Sequence, residues 1–384
     1  MKFFNKLLSL VVVLGITGMG GSVYAGGKQP HHQTNSTEPK LENLLKDKKD
    51  VAVIVVDPQE TFSKYTGEGQ QEGSLAVGGT DKPYVESMVQ FTKALKDKGI
   101  HIVVSQDHHP AGHISFASTH TGANIATQYA TLGITKVTSI DGKEIFYDGK
   151  KFHKSPEKFS MVRIYFEDNN YIDQMLWPDH GIQLVEGPTG DKLLPGLNNN
   201  THYNYLQKKG TKQNRDSYSA FFDNEYYDSK GKPHRGESTG LIQYFVEQFP
   251  DSKIDKKGKE KKTTQINTLI IYGIATDFCV KATIQDALRL GFNVVFVENE
   301  SRSVASYDSP DYKKVIKEME TKSHKKTHQH FIKADNLLVG KALGLEVSLD
   351  PKSTHQNANL KFEEGVNQAT QQKNTEEQIV TKIQ

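Results

Sequence analysis

The sequence predicts an α/β fold with a doubly wound, mostly parallel sheet flanked by helices. Two observations predict it: apolar runs of strand length recur along the chain, and amphipathic helical segments alternate with them. Residues 51–56 are all apolar, as expected of a strand buried on both faces. Further strands are predicted over 101–105, 268–274 and 293–297. In such sheets ligands bind beyond the carboxyl ends of the strands, so functional residues are expected there.

The predicted helices lie between these strands. Residues 83–98 carry apolar side chains at helical spacing, and Gly99 stands just beyond the predicted end. Residues 240–249 show the same pattern on a shorter scale. Asp277 is the predicted N-cap of a third helix that runs to Leu290. Strand and helix therefore alternate, which favours parallel strands over antiparallel hairpins.

The N-terminus has the pattern of a signal peptide over residues 1–25. Lys2 and Lys6 precede the apolar stretch 7–19, which is too short to span a bilayer. The small-residue segment Val23-Tyr24-Ala25 resembles a cleavage site. We therefore expect an exported protein, periplasmic or secreted, with no membrane association after cleavage.

The mature chain is predicted to hold one domain over 49–350, after a polar linker over 26–48. A long insertion at about 118–170 contains turn dipeptides around residues 144–147, which predict β-hairpins. Its role, a lid or a surface ornament, stays open. The lysine-rich segment 251–264 is predicted to be a solvated loop, and the polar tail 351–384 to lack stable structure.

Composition excludes some classes of partner. The formal net charge of the 384-residue chain is +2, so no global basic field points to nucleic acid. A small molecule is the expected partner, and the sequence is compatible with a homo-oligomer. The chain contains one cysteine, Cys279, which cannot form an internal disulfide. A lone cysteine is usually a small buried apolar residue, so its surroundings must decide whether it has a function.

A cluster of metal-ligand residues follows the second predicted strand. Asp107 and His109 are two residues apart and point the same way in an extended chain. His113 lies four residues further on, beyond an easy turn, and His180 is a candidate fourth ligand beside Trp177. One carboxylate with several imidazoles suits a divalent ion, with Zn, Fe and Mn all compatible. The alternative is a chance cluster of exposed histidines.

Cys279 lies where a strand turns into a helix, within residues 273–283. A helix N-terminus favours a thiolate and lowers the thiol pKa, and its free N–H groups suit an oxyanion. A nucleophilic role therefore outweighs the structural one. No histidine lies in this segment, so Asp57, which directly follows the first strand, is the candidate base.

Taken together, these segments resemble the nicotinamidase (pyrazinamidase) family of isochorismatase-like cysteine hydrolases. The matching stretches are Val56-Asp57-Pro58-Gln59, Gly73-Ser74-Leu75-Ala76-Val77, Asp107-His108-His109-Pro110, His113-Ile114-Ser115-Phe116, Trp177-Pro178-Asp179-His180, Lys209-Gly210, Asp216-Ser217-Tyr218-Ser219-Ala220-Phe221 and 273–279. The resemblance covers over half of the mature chain.

The resemblance implies a role for each site residue. It implies a catalytic triad of Asp57, Lys209 and Cys279, and an oxyanion hole formed by the N–H groups of Ala275 and Cys279. The implied metal ligands are Asp107, His109, His113 and His180, and the implied aromatic walls are Phe62 and Trp177. It also implies a cis peptide at Ile274-Ala275. The implied reaction converts nicotinamide to nicotinate and ammonia through a thioester, with one divalent ion per chain that anchors the ring nitrogen.

Some features depart from the family pattern. Gly181 stands where the family often has Cys, and His108 where it usually has Trp. The insertion is longer than usual, and export is unusual for such an enzyme. Three alternatives stay open: an exported amidase for another carboxamide or carbamoyl compound, a protein that binds nicotinamide without turnover, and hydrolysis by metal-bound water.

Overall fold

The computed structural model describes residues 40–199, 201–254, 260–323, 329–349 and 360–363. The helices are α1 (Leu41–Leu45), α2 (Lys82–Asp97), α3 (Ile125–Leu132), α4 (Leu241–Gln248), α5 (Lys281–Leu290), α6 (Pro310–Ser323) and α7 (Asn336–Ala342). The strands are β1 (Val51–Val56), β2 (His101–Asp107), β3 (Ile134–Ser139), β4 (Ile145–Tyr147), β5 (Met161–Phe166), β6 (Tyr171–Met175), β7 (Tyr205–Lys209), β8 (Tyr226–Tyr227), β9 (Pro233–His234), β10 (Pro250–Ile254), β11 (Glu260–Thr264), β12 (Thr268–Gly273), β13 (Asn293–Val297), β14 (Phe331–Ala334), β15 (Glu346–Leu349) and β16 (Leu360–Glu363).

A six-stranded parallel sheet in the order β14-β13-β12-β1-β2-β7 forms the centre of the fold. Every residue of β1 is buried, and successive side chains point to opposite faces. Val53 and Val55 pack on the face covered by α2, whereas Ile54 packs on the face covered by α4, α5 and α6. The predicted α/β class with helices on both sides of a parallel sheet is therefore confirmed.

The carboxyl edge of this sheet brings distant parts of the chain together. The neighbouring strands β12, β1, β2 and β7 all end there. Asp107 is paired with Lys209 in the register of β2 and β7, and Val56 is paired with Gly273 in that of β1 and β12. Because Asp57 follows β1 directly, its carboxyl group, Asp107, Lys209 and the turn after β12 share one edge.

The insertion forms a second sheet, which is antiparallel in the order β4-β3-β5-β6-β8-β9. It packs with α3 around its own buried apolar cluster, which includes Tyr129, Val137, Val162 and Ile164. The predicted hairpin around residues 144–147 is present as β3 and β4. The sheet extends beyond the predicted end of the insertion at 170, because β6 runs from Tyr171 to Met175 and pairs with β8.

Three predicted irregular segments contain regular structure. The segment 251–264 was predicted to be a loop, which is wrong, because β10 and β11 form an antiparallel hairpin there. The end of the predicted linker forms α1, whose Leu45 is buried in the core. In the predicted tail, β16 pairs with β15.

The predicted signal peptide, linker residues 26–39 and tail residues 351–359 and 364–384 lie outside the described residues. Within the described residues, no helix has the length and apolar character needed to cross a membrane.

Candidate active site

A cavity of about 1740 Å³ opens at the carboxyl edge of the parallel sheet. Its lining includes Cys279, Asp107, His180, Phe62 and Trp177. The predicted nucleophile, two of the four predicted metal ligands and both predicted aromatic walls therefore face one space. This placement agrees with the rule that open α/β sheets bind ligands beyond their strand ends.

The structure brings Asp57, Lys209 and Cys279 together. The Lys209 ammonium lies 3.0 Å from Asp57 Oδ2 and donates to Cys279 Sγ at 3.6 Å. It also pairs with Asp107 Oδ1 and donates to the Ser217 carbonyl at 2.7 Å. One oxygen each of Asp57 and Asp107 and the Cys279 sulfur lie within 4.8 Å of one another. A buried cation is thus surrounded by two carboxylates and the thiol.

Burial sets the protonation of this group. It raises the pKa of Asp57 to about 6, although Lys209 acts in the opposite direction. Burial also works against the charge of Lys209, but Asp107 and Asp57 outweigh it and hold the lysine pKa well above its ordinary value. At neutral pH, Asp57 is therefore ionised and Lys209 is charged.

The thiol pKa differs from the prediction. Burial, above all, raises the pKa of Cys279 well above its ordinary value; Lys209 opposes this shift, and the Asp57 and Asp107 carboxylates add to it. The expectation that the helix N-terminus lowers this pKa is thus wrong. The resting side chain is a neutral thiol, which needs a base beside it.

The turn that carries Cys279 also differs in detail from the prediction. Residues Thr276–Val280 form one π-helical turn before α5. Asp277 was predicted to cap the helix, which is wrong, because its carboxylate accepts the N–H groups of Val304 and Ala305 at 3.1 and 2.9 Å. The Ile274–Ala275 peptide is cis, as the resemblance implied. The Ala275 carbonyl accepts the N–H groups of Phe278 and Val280.

Three of the predicted metal ligands form one buried group. Ligand atoms of Asp107, His109 and His180 lie within 4.8 Å of one another. Asp107 Oδ2 is 3.6 Å from His109 Nε2 and 3.9 Å from His180 Nε2. The opposite ring nitrogens lie 2.8 Å from the Gly210 carbonyl and 2.7 Å from the Pro178 carbonyl.

This group fits a divalent cation. Because carbonyls only accept hydrogen bonds, both Nδ1 atoms must carry a proton, so each imidazole in its neutral form directs its Nε2 lone pair at Asp107. His109 Nε2 is buried and has no hydrogen-bond partner among the described residues. Burial lowers the pKa of His180 to about 4, so its imidazole is neutral and able to coordinate. A bound cation would satisfy these lone pairs.

His113 lies beside this group rather than within it. Its Nδ1 is 2.7 Å from Ser115 Oγ and its Nε2 is 3.1 Å from the Arg215 carbonyl. Its ring stacks on that of His109 at 4.0 Å, and the two histidines form a second cluster with Asp216. Protein atoms thus contact both ring nitrogens of His113. Its role as a metal ligand stays a prediction.

The two predicted aromatic walls line the cavity. Sequence reasoning missed further aromatic residues of the lining, among them Phe278 and Tyr218 beside Trp177. Phe62 lies 5.6 Å from the His180 ring, and Trp177 donates its indole N–H to the Tyr218 hydroxyl at 3.2 Å. Phe278 contacts Trp177 edge to face at 5.0 Å, and it lines the cavity together with Tyr218. The signal for Phe278 was available, since it directly precedes Cys279 in the chain.

Known proteins share this sequence pattern. A model of the Isochorismatase domain matches residues 258–328. A nicotinamidase from Acinetobacter baylyi is 30% identical over 264 residues, covering 69% of this chain and 86% of the relative. A nicotinamidase from Escherichia coli is 29% identical over 259 residues, covering 66% and 83%. The solved structure of an Acinetobacter baumanii nicotinamidase aligns with a TM-score of 0.48 at 23% identity, covering 75% of this chain and 97% of that one.

Proposed function

Because the chain belongs to the nicotinamidase family of isochorismatase-like amide hydrolases, we propose that it converts nicotinamide to nicotinate and ammonia through a thioester on Cys279. One observation carries this proposal: the Cys279 thiol, which lines an aromatic-walled cavity, is grouped with the Asp57 carboxylate and the Lys209 ammonium. A neutral thiol beside an ionised carboxylate is suited to nucleophilic attack with general-base assistance.

In the first step Asp57 takes the proton of Cys279 as the sulfur bonds to the carboxamide carbon. The carbonyl π electrons move to the oxygen, where the N–H groups of Ala275 and Cys279 are the proposed donors. Lys209, 3.6 Å from the sulfur, offsets the negative charge on the sulfur and on Asp57. Because these groups are buried, the stabilisation exceeds that in water.

In the second step the C–N bond breaks and protonated Asp57 gives its proton to the leaving nitrogen, which departs as ammonia. The carbonyl reforms as a thioester on Cys279. Water then attacks this carbonyl, with Asp57 again accepting a proton, and the C–S bond breaks. Nicotinate leaves, and the proton returns to the sulfur.

We further propose that Asp107, His109 and His180 hold one divalent ion, as their buried donor atoms support. When bound, this ion supplies a Lewis acid that anchors the pyridine nitrogen. A carboxylate with imidazoles suits Zn, Fe and Mn alike. Phe62, Trp177 and Phe278 provide flat apolar walls for the ring.

Purified protein provides the test. We expect ammonia and nicotinate from nicotinamide, and a strong rise of KM after treatment with a chelator that zinc reverses. Binding of nicotinamide without ammonia release would contradict the proposal and favour a binding protein instead.

The cavity volume favours a second candidate, a larger aromatic carboxamide. The cavity of about 1740 Å³ exceeds the roughly 300–1000 Å³ of typical ligand pockets. Comparison of kcat/KM for nicotinamide with that for ring-substituted aromatic carboxamides decides between them. A value at least tenfold higher for a substituted carboxamide would favour the second candidate.

We also propose that the enzyme acts outside the cytoplasm after removal of residues 1–25. The basic start, the short apolar stretch and the Val23-Tyr24-Ala25 site support this proposal. N-terminal sequencing of protein from the exported fraction should begin at Gly26. Full-length protein confined to the cytoplasm would contradict it.

A further inference from the structure

Two buried side chains outside the proposed triad connect the segments that carry the two carboxylates. We propose that Ser105 and Gln59 form a reciprocal clamp, in which each residue holds the acid on the other segment. Ser105 lies on β2 and holds Asp57, whereas Gln59 lies in the loop after β1 and holds Asp107. The clamp rests on the proposed function, and its parts are positioning residues.

The Ser105 half of the clamp fixes which oxygen of Asp57 can act as a base. The Ser105 hydroxyl donates to Asp57 Oδ1 at 2.6 Å and accepts the Asp57 N–H at 3.1 Å. Asp57 Oδ2 lies 3.0 Å from the Lys209 ammonium. The same ammonium contacts the Cys279 sulfur. Ser105 therefore occupies one oxygen and leaves the other for the thiol proton.

The Gln59 half holds the backbone of Asp107 from both sides. Gln59 Oε1 accepts the Asp107 N–H at 2.7 Å, and its Nε2 donates to the Asp107 carbonyl at 2.9 Å. The same Nε2 donates to the Asp191 carbonyl at 3.1 Å. Gln59 is fully buried, so water does not compete for these bonds. With its backbone fixed, Asp107 presents Oδ1 to Lys209 and Oδ2 to His109 and His180.

The clamp matters because the two carboxylates repel each other across a buried cation. Lys209 bridges Asp57 and Asp107 only if their separation matches its reach. The pairing of β1 with β2 ends at Val55 and Val104, before these contacts, so the sheet ladder alone does not fix the loop after β1. Displacements of about 1 Å in an active site lower rates by about a hundredfold.

The two halves predict different defects, which a merely structural role would not separate. Ser105→Ala should lower kcat for nicotinamide by about tenfold or more, with KM and zinc affinity unchanged, since it disturbs the base alone. Ser105→Thr keeps the hydroxyl and should restore kcat. Ser63→Ala is the matched control, because Ser63 is equally buried and donates to the Tyr65 and Thr80 carbonyls rather than to an acid.

Gln59→Leu should weaken zinc binding by about tenfold, since residues that orient a metal ligand commonly have effects of 10–100-fold. Zinc affinity is measured by competition with a chromogenic chelator, without substrate. Gln106→Leu is the matched control, because Gln106 is also buried and donates to the Asp191 carbonyl at 2.7 Å, but not to Asp107. The control should keep its zinc affinity.

The inference is overturned if Ser105→Ala keeps full kcat, or if Gln59→Leu and Gln106→Leu bind zinc equally well. It is also overturned if activity and zinc affinity fall together in both variants in proportion to lost thermal stability. If the wild type releases no ammonia from nicotinamide, the proposed function fails. The zinc comparison still decides the Gln59 half in that case.

Discussion

The pH dependence of hydrolysis below neutrality follows from the surroundings of Asp57. Complete burial raises the pKa of its carboxyl group from 3.8 to about 6 against the pull of Lys209. Only the ionised form accepts the thiol proton, so kcat/KM should fall as the pH drops through about 6. About nine tenths of Asp57 is ionised at pH 7 and about one tenth at pH 5. An aspartate with the ordinary value would stay about nine tenths ionised at pH 5.

The assay is ammonia release from nicotinamide between about pH 4.5 and 8, at constant ionic strength and saturating zinc. Loss of fold does not account for the expected decline. The folded state binds the Asp57 proton more tightly than the unfolded state does, so this group adds stability as the pH falls. Circular dichroism should therefore remain unchanged through the decline near pH 6.

Glu300 provides the control for this prediction. Burial raises the pKa of its carboxyl group to about 7, and it lies outside the proposed catalytic group. Glu300→Gln should therefore show the same fall of kcat/KM below neutral pH (the acid limb of the profile) as the wild type. A profile that stays flat down to pH 5, or an acid limb that disappears in Glu300→Gln, would refute the assignment of Asp57 as the base.

Three further predictions follow from the same geometry. Lys209→Met should lower ammonia release by at least a hundredfold and reduce the free energy of unfolding by about 3–5 kcal/mol, because it leaves buried carboxylates unpaired. Lys208→Met, which replaces the exposed neighbouring lysine, should change both quantities little. Equal effects of the two substitutions would contradict this. Glu300→Gln should raise the free energy of unfolding in urea by about 3 kcal/mol at pH 8 and by under about 1 kcal/mol at pH 5. The sign follows because the Glu300 pKa is raised from 4.5 to about 7 in the folded state, so the wild type loses stability as the pH rises from about 4.5 and the loss is complete above about 7. An equal gain at both pH values would contradict the prediction. Trp177→Leu should raise KM for nicotinamide about tenfold with little change in kcat, since it removes a ring wall but no reacting group; a fall in kcat alone would contradict this.

Local patterns in the sequence predicted the strands that carry the site. The apolar run before Asp57 and the strand before Cys279 are visible without any tertiary information. The meeting of Asp107 and His109 was predictable as well, because side chains two residues apart on an extended segment point the same way. Their meeting point followed from the rule that parallel strands share one functional edge.

Tertiary partners decided the features that sequence reasoning missed. Asp277 is a residue type that often caps helices, but here its carboxylate accepts hydrogen bonds from the N–H groups of Val304 and Ala305 instead. Ser105 and Gln59 gain their partners across 48 residues of chain, which no local pattern shows. The raised pKa of Cys279 likewise depends on burial and on carboxylates from other strands.

The central claim is that the Cys279 sulfur attacks the carboxamide. Acid-quenched turnover of nicotinamide, followed by peptide mass spectrometry, tests it most directly. A nicotinoyl group on the Cys279 peptide of the wild type, with neither adduct nor ammonia release in a folded, zinc-binding Cys279→Ala variant, is the predicted result. Continued ammonia release by Cys279→Ala would contradict the claim and favour hydrolysis by metal-bound water.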